Sequence, residues 1–212
     1  MHRGKAMKIK VCGITNNKDI AEISALKPDY LGFIFYPPSP RDVTNRIASL
    51  DLSVIPKKTS KVAVFVNESY DSISKIIDRY GFEFVQLHGD ESPEFCNKLQ
   101  RISKIIKAFR IADTLPKNLN EYQDTCDYLL FDSAGKNYGG NGIGFNHLLI
   151  NEYNGKLPFF LSGGISVDDS SNVKTITHKN LHAVDINSKF EIEPGIKDME
   201  KLKAFFNNMI SR

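Results

Sequence analysis

The sequence predicts an α/β fold, a single (β/α)8 TIM barrel, in which eight parallel strands close into a cylinder and helices cover the outside. Eight short runs rich in β-branched and aromatic residues recur along the 212-residue chain. Several are apolar at nearly every position, as strands buried on both faces are. Segments with helical periodicity separate these runs, an alternation typical of parallel sheets. An open doubly wound sheet is the alternative, but it usually has fewer strands and a glycine-rich turn after the first strand. The glycines here cluster late in the chain.

Eight predicted strands account for the sheet. They are residues 8–12, 30–35, 61–66, 84–87, 104–109, 128–131, 158–161 and 182–186. No linker or change in composition divides the chain, so we expect residues 7–212 to form one barrel domain and residues 1–6 to be an N-terminal extension.

The connecting segments carry helix signals. Ser92 before Pro93 predicts a helix N-terminus, and Ser166 with Asp169 resembles a capping box in which aspartate replaces glutamate. Prolines break the helical pattern of the second and fifth connections. Two segments have a clear apolar face, formed by Ile73, Ile76, Ile77 and Tyr80 in one and by Met199, Leu202, Phe205, Phe206 and Met209 in the other.

Composition excludes several classes of function. Net charge is only +3, and the first six residues contribute two of those charges through Arg3 and Lys5, which disfavours a nucleic-acid partner. No apolar run approaches the roughly 18 residues that cross a bilayer, so no membrane partner is expected. The three cysteines are far apart, which predicts a reduced, cytoplasmic protein. No cluster has the spacing of a metal site, so we expect no metal.

Two side chains at predicted strand ends are suited to moving protons. The active site of such a barrel lies at the carboxyl ends of its strands, where Cys12 ends the first strand and Asp132 follows the sixth. A thiolate can act as a base and a carboxylic acid as an acid. Lys10 shares a face with Cys12 and is expected to favour its thiolate. The alternatives are that Cys12 is a small buried hydrophobe and that Asp132 caps a loop.

Five further residues suit substrate binding. Gln86 and His88 are expected to point into the barrel, where they bind a polar substrate or satisfy buried partners. Arg41 follows a proline-stiffened loop and suits forked binding of a carboxylate, unless it is a surface arginine. Gly163 and Gly164 follow the seventh strand, where barrels often bind phosphate; a simple tight turn is the alternative.

Residues 185–188 stand at the end of the eighth strand and complete the predicted phosphate site. Asp185, Asn187 and Ser188 are its candidate side chains. Small residues and bare backbone N–H groups let an anion approach closely at such a turn.

Together these segments resemble the phosphoribosylanthranilate isomerase family of the tryptophan pathway. The resemblance rests on residues 10–15, 31–35, 39–41, 64–67, 85–91, 131–132, 139–142, 162–165, 185–188 and 194–198. It implies an Amadori rearrangement of N-(5-phosphoribosyl)anthranilate to 1-(2-carboxyphenylamino)-1-deoxyribulose 5-phosphate, without metal or cofactor. Cys12 matches the family's general base and Asp132 its general acid. Arg41 matches the arginine near the anthranilate carboxylate, and Gly163, Gly164 and residues 185–188 match the phosphate loops.

The chain departs from the family pattern in two loops. Asn187 replaces a serine and Lys189 a glycine, so Lys189 either strains a turn that needs positive φ or adds charge near the phosphate. Ile143 replaces a lysine in the loop after the sixth strand. Two other functions remain open, a histidine-pathway phosphoribosyl isomerase and a non-catalytic barrel that binds a phosphorylated metabolite. We expect a monomer or a homodimer.

Overall fold

The computed structural model describes residues 7–133 and 147–210. Eight parallel strands close into a barrel in chain order, and the last strand pairs with the first through Lys8–Ala183 and Lys10–Asp185. The strands are β1 Lys8–Val11, β2 Tyr30–Phe35, β3 Ser60–Phe65, β4 Phe84–Leu87, β5 Lys104–Ile111, β6 Tyr128–Ser133, β7 Phe159–Ser162 and β8 Leu181–Ile186. The predicted barrel is therefore confirmed, and the open sheet is excluded.

Helices and turns connect the strands on the outside. The helices are α1 Asn17–Ala25, α2 Tyr70–Tyr80, α3 Pro93–Gln100, α4 His147–Asn151, α5 Ser170–Thr175 and α6 Met199–Ile210. Short 3-10 turns at Ile47–Ser49, Leu52–Val54 and Leu119–Tyr122 stand in the two connections that the prolines interrupt. An antiparallel hairpin of β9 Glu191–Glu193 and β10 Ile196–Lys197 follows β8. None of the described helices is long and apolar enough to span a bilayer.

One of the two predicted helix starts is wrong in detail. Ser92 caps α3 as expected, with its side chain accepting the N–H of Phe95. Only half of the capping box at Ser166 forms, since the carboxylate of Asp169 accepts the backbone N–H of Ser166 at 2.8 Å. The Ser166 hydroxyl donates to the same carboxylate at 2.7 Å and does not accept the N–H of Asp169, and α5 begins only at Ser170. The Ser166 hydroxyl is thus used as a donor, and the pair closes a turn before the helix.

The sheet separates two apolar regions. Outside it, the helices bury the predicted faces, with Ile73, Ile77, Leu202 and Phe205 inaccessible or nearly so. Each such burial stabilises the fold by roughly 1.5–3 kcal/mol. Inside the barrel, ten buried residues fill the cylinder, so it is not a pore: Cys12, Tyr30, Val62, Val64, Phe84, Ile106, Ala108, Leu130, Phe160 and Ala183.

Aromatic rings close the amino-terminal end of the cylinder. Tyr30, Phe84 and Tyr128 are the first residues of β2, β4 and β6, and the Phe84 ring packs against both tyrosines at 5.3 and 6.0 Å between centroids. The two tyrosine rings also pack against Phe160 and His182, at 4.6–6.0 Å. The Tyr30 hydroxyl and His182 Nε2 are 2.7 Å apart. A reactant must therefore enter at the opposite mouth, where the strands end.

Candidate active site

Cys12 lies at this mouth immediately after β1, inside the barrel and 4% exposed. Its backbone N–H donates to the carbonyl of Ile186 at 2.9 Å, which holds the end of β1 against β8. Gly32 of β2 leaves room for the thiol, because a Cβ on Gly32 would lie 2.6 Å from Cys12 Sγ. The sequence therefore provides a glycine where the neighbouring strand must make room for sulfur.

Burial and charge act in opposite directions on the Cys12 thiol. Burial raises the pKa of Cys12, and the nearby ammonium groups of Lys10 and Lys197 lower it only in part. Lys10 does favour the thiolate, as the sequence indicates, but the net pKa is raised. Loss of hydration outweighs the attraction between the charges in this closed setting.

Lys10 lies fully buried at the centre of the barrel. Its ammonium donates to Asp185 Oδ2 and to Gln86 Oε1, each at 2.8 Å. Burial opposes the charge of Lys10, but the Asp185 carboxylate prevails and raises the pKa of Lys10, so the ammonium is retained at neutral pH. Burial also raises the pKa of Asp185, against the attraction of Lys10. Asp185 Oδ1 has no hydrogen-bond partner among the described residues.

A line of polar contacts crosses the mouth from this ion pair to Asp132. Gln86 Nε2 lies 2.9 Å from His88 Nδ1, and His88 Nε2 lies 3.4 Å from Asp132 Oδ2. Gln86 is buried, whereas the side chains of His88 and Asp132 are 23% and 29% exposed. The structure thus brings four predicted site residues, Asp185, Gln86, His88 and Asp132, into one connected arrangement.

Arg41 belongs to a second cluster, on the other side of Cys12. Its Nε lies 2.9 and 3.0 Å from the two carboxylate oxygens of Glu191, and Nη2 also donates to Glu191. Lys197 Nζ donates to Glu191 Oε1 and Asn187 Oδ1, each at 2.8 Å. The arginine predicted to bind a carboxylate therefore already holds one from its own chain.

The charges of this cluster shift one another. Burial favours the neutral acid of Glu191, but its contacts with Arg41 and Lys197 prevail and lower the pKa of Glu191. The hydrogen bond with Glu191 raises the pKa of Arg41, and burial lowers the pKa of Lys197. Sequence reasoning missed Glu191 and Lys197 as site residues. Lys197 lies in residues 194–198, which carry the family resemblance, and Glu191 lies just after residues 185–188, which also carry it. The resemblance could therefore have pointed to both residues.

Gly13 allows the two sides of the second cluster to meet. Its φ is +75°, and a Cβ there would lie 2.5 Å from Asn187 Oδ1 and 2.8 Å from Arg41 Cδ. A side chain at this position would be strained by the backbone and would collide with both neighbours. The absence of a side chain at Gly13 therefore lets Arg41 and Asn187 pack against the loop after β1.

Two turns form the predicted phosphate region. Gly163 and Gly164 follow β7 with φ of +98° and +67°, a conformation that glycine adopts without strain. Ser188 and Lys189 are exposed, in a 3-10 turn after β8. The expectation that Lys189 strains a positive-φ turn is wrong, because residues 188–190 form that 3-10 turn and φ is not positive at Lys189.

A buried ion pair holds the loop that carries His88. Glu91 accepts the backbone N–H groups of Gly89 and Asn67 at 3.0 and 2.9 Å and pairs with Lys107 at 3.0 Å. Lys107 also donates to the carbonyl of Gly89 at 2.7 Å. Sequence reasoning did not identify this support, because neither charge is marked as buried by the local pattern.

Three of the sequence predictions concern residues outside the described part of the chain: residues 139–142, Ile143 and the extension 1–6. Within the described residues, no group of three or more His, Cys, Asp or Glu side chains is arranged to hold a metal, and the absence of a metal stays a prediction.

Comparison of the sequence with known proteins identifies the family of this chain. The sequence profile described as N-(5'phosphoribosyl)anthranilate (PRA) isomerase matches residues 9–208. The chain is 40% identical over 210 residues to an N-(5'-phosphoribosyl)anthranilate isomerase of Parabacteroides distasonis, which covers 96% of this chain and 94% of the relative.

Solved structures agree with the sequence relatives. A phosphoribosyl anthranilate isomerase from Thermotoga maritima superposes with a TM-score of 0.80 at 30% identity, covering 96% of this chain and 98% of that one. A phosphoribosyl anthranilate isomerase in complex with reduced 1-(o-carboxyphenylamino)-1-deoxyribulose 5-phosphate has a TM-score of 0.78 at 27% identity, with the same coverage of 96% and 98%.

Proposed function

Since this chain belongs to the N-(5'-phosphoribosyl)anthranilate isomerase family, we propose that it isomerises N-(5'-phosphoribosyl)anthranilate at the mouth of its barrel, with Cys12 as base and Asp132 as acid. The observation that carries the assignment of roles is the connected arrangement at this mouth. Cys12 lies beside Lys10, and Lys10 is joined to Asp132 through Gln86 and His88. Both proton-transfer groups therefore border one space.

The reaction begins at the furanose ring. Asp132 gives its proton to the ring oxygen as the bond between C1 and that oxygen breaks, which leaves a protonated Schiff base between C1 and the anthranilate nitrogen. Asp132 becomes a carboxylate in this step. Its position at the exposed end of β6, with His88 Nε2 3.4 Å away, supports contact with a bound sugar.

The second proton comes from C2. The Cys12 thiolate removes it, and the electron pair of the C–H bond neutralises the iminium, giving an enolamine. That enolamine becomes the ketone as the C2 hydroxyl loses a proton and C1 gains one. Substrate and product have the same composition, so the enzyme must afterwards return a proton to Asp132 and release one from Cys12.

Binding groups surround this chemistry. Arg41 uses Nε and Nη2 on Glu191, so the anthranilate carboxylate is expected at Nη1, which makes no hydrogen bond to the described residues. The positive φ at Gly163 and Gly164 supports a phosphate site in which backbone N–H groups, with Ser188, contact the anion. Asp185 and Asn187 are expected to act through Lys10 and Lys197 respectively.

The enzyme is also proposed to have a particular compartment and oligomeric state. Residues 7–212 are expected to form one barrel that works in the cytoplasm as a monomer or homodimer. The free thiols of Cys12, Cys96 and Cys126 support a reducing compartment.

The test is the loss of phosphoribosylanthranilate fluorescence with freshly made substrate. Rapid loss with the wild-type protein, and loss near the spontaneous rate with Cys12→Ala and Asp132→Asn, is the expected result. A single general acid or base contributes about 10²–10⁴-fold, so each variant should lose a factor of about that size in kcat. Undiminished turnover in either variant would remove that residue from its role. Tight binding of the product without wild-type turnover would indicate a non-catalytic barrel.

A further inference from the structure

We propose that Gln86 is a positioning residue that fixes the tautomer of His88, so that His88 presents Nε2–H to Asp132. The inference follows from which groups can donate hydrogen bonds. Three buried or half-buried side chains form a hydrogen-bonded chain, Lys10 to Gln86 to His88, and each fixes the orientation of the next.

Lys10 is the start of this sequence because its ammonium can only donate. It is fully buried, and the second acceptor at its Nζ is the Asp185 carboxylate at 2.8 Å. The Gln86 atom that lies 2.8 Å from Lys10 Nζ must therefore be the amide oxygen. A flipped amide would direct two N–H groups at an ammonium, which leaves buried donors without acceptors.

The orientation of the Gln86 amide determines which hydrogen bond it makes with His88. With its oxygen on Lys10, its Nε2 faces His88 Nδ1 at 2.9 Å and must donate to it. Gln86 is 1% exposed, so no competing water shell restores the alternative orientation at low cost. The buried amide is thus fixed by charge at one end and determines the hydrogen-bond polarity at the other.

His88 then has one tautomer that fits. Nδ1 accepts, so a neutral ring carries its hydrogen on Nε2, the atom 3.4 Å from Asp132 Oδ2. The imidazolium form does not fit, because its Nδ1–H would point at the amide N–H of Gln86. The opposite tautomer is excluded by the same clash, and it would also turn a lone pair toward Asp132.

The consequence for catalysis rests on the proposed function. Asp132 becomes a carboxylate when it gives up its proton, and a fixed Nε2–H beside it is a donor ready for that charge. Gln86 itself carries no proton, because an amide would have to pass through an unstable imidic acid. Its role is orientation, and its removal should lower kcat more than it raises KM.

His178 provides an internal reference for the same tautomer. Its Nε2 lies 2.9 Å from the carbonyl oxygen of Tyr153, which only accepts, and its Nδ1 accepts the N–H of Asn180 at 3.1 Å. His178 is therefore also an Nε2–H ring, fixed by backbone groups that no change at Gln86 should alter.

The deciding experiment is nitrogen NMR of protein labelled with ¹⁵N-histidine, at about pH 8 where a free imidazole is neutral. The His88 signals are identified by their absence in His88→Gln. In the wild type we expect His88 and His178 to show the same Nε2–H pattern. In Gln86→Glu, whose carboxylate faces His88 with acceptors alone, His88 should change to Nδ1–H or imidazolium while His178 stays unchanged.

Activity supplies the second readout. Gln86→Glu should lower kcat by roughly 10–100-fold, less than loss of the acid itself, with little change in KM. Gln86→Met, which removes the amide but not its bulk, should give His88 a mixture of tautomers and a smaller loss. Wild-type His88 in the Nδ1–H form, or an unchanged His88 pattern in Gln86→Glu, would overturn the proposal. The wild-type spectrum requires neither a stable variant nor turnover, so it is independent of the proposed reaction.

Discussion

Gly32 and Cys12 are packed so closely that the thiol occupies the space where a side chain on Gly32 would begin. A Cβ on Gly32 would lie 2.6 Å from Sγ and 3.1 Å from the Cα of Cys12. The position of the proposed base is therefore determined by a residue on the neighbouring strand. That residue contributes no functional group of its own.

Gly32→Ala should displace the Cys12 thiol and lower kcat by about tenfold or more, because a displacement of about 1 Å is costly for a reacting group. Overpacking should also reduce the free energy of unfolding by roughly 1–3 kcal/mol. Steady-state kinetics and urea unfolding measure the two effects. The double variant Gly32→Ala/Cys12→Ala is the control, since it should recover part of the lost stability. Full kcat in Gly32→Ala would show that the thiol tolerates the shift.

Cys12 should titrate above the ordinary range of a thiol in the unliganded protein. Burial raises the pKa of Cys12, so its thiolate should still be increasing at about pH 8.5, where a free cysteine is half ionised. The far-ultraviolet absorbance of the thiolate, taken as wild type minus Cys12→Ser, measures this directly. The raised pKa also means that the unfolded chain releases this proton more readily, so Cys12 should reduce stability as pH rises above about 8.5. A thiolate half formed below pH 8 would show that Lys10 and Lys197 outweigh burial.

Lys10→Met should destabilise the barrel strongly. The change leaves the Asp185 carboxylate buried without its partner, and breaking a buried pair costs about 3–5 kcal/mol. Urea unfolding at neutral pH measures the loss. The double variant Lys10→Met/Asp185→Asn should lose less than the two single variants together, because it removes both charges. Additive losses would indicate that the two charges do not depend on each other.

Arg41→Lys should raise KM by about tenfold while kcat changes little. Lysine keeps the charge, but it cannot make the forked contact with Glu191 and at the same time present a further fixed N–H, as Nη1 does, to the substrate carboxylate. Steady-state kinetics with varied substrate measure both constants. Glu191→Gln is the matched comparison, since it keeps Arg41 but removes the anion that holds it. An unchanged KM in Arg41→Lys would place the anthranilate carboxylate elsewhere.

The fold could be predicted because the signal is local. Every run of β-branched and aromatic residues became a strand, and the apolar faces of residues 70–80 and 199–210 are packed inward. The start of α5 could not be predicted, because whether Ser166 accepts or donates depends on the competing carboxylate of Asp169. The helical periodicity of the sequence does not indicate which of these two hydrogen bonds Ser166 makes.

The sequence predicted which residues form the site better than it predicted the contacts between them. Strand ends indicated Cys12, Asp132 and Gln86, but not the contacts that join them. Lys10, at the centre of the barrel, lies between Cys12 and Gln86, and His88 lies between Gln86 and Asp132. The pairing of Arg41 with Glu191 joins residues 150 positions apart, and no local pattern reports it. The net pKa of Cys12 likewise depends on how tightly the barrel closes around it.

The Lys10–Asp185 pair has a consequence for how the enzyme is made. It joins residues 175 positions apart, across the seam where the last strand meets the first. We expect such a contact to form late in folding, because closing so long a loop costs entropy that other contacts must first offset. Lys10 and Cys12, which both contact β8, would then complete their surroundings only when the barrel closes. Turnover then reports completed closure, and a nascent or truncated chain lacking β8 would have strands but no working site.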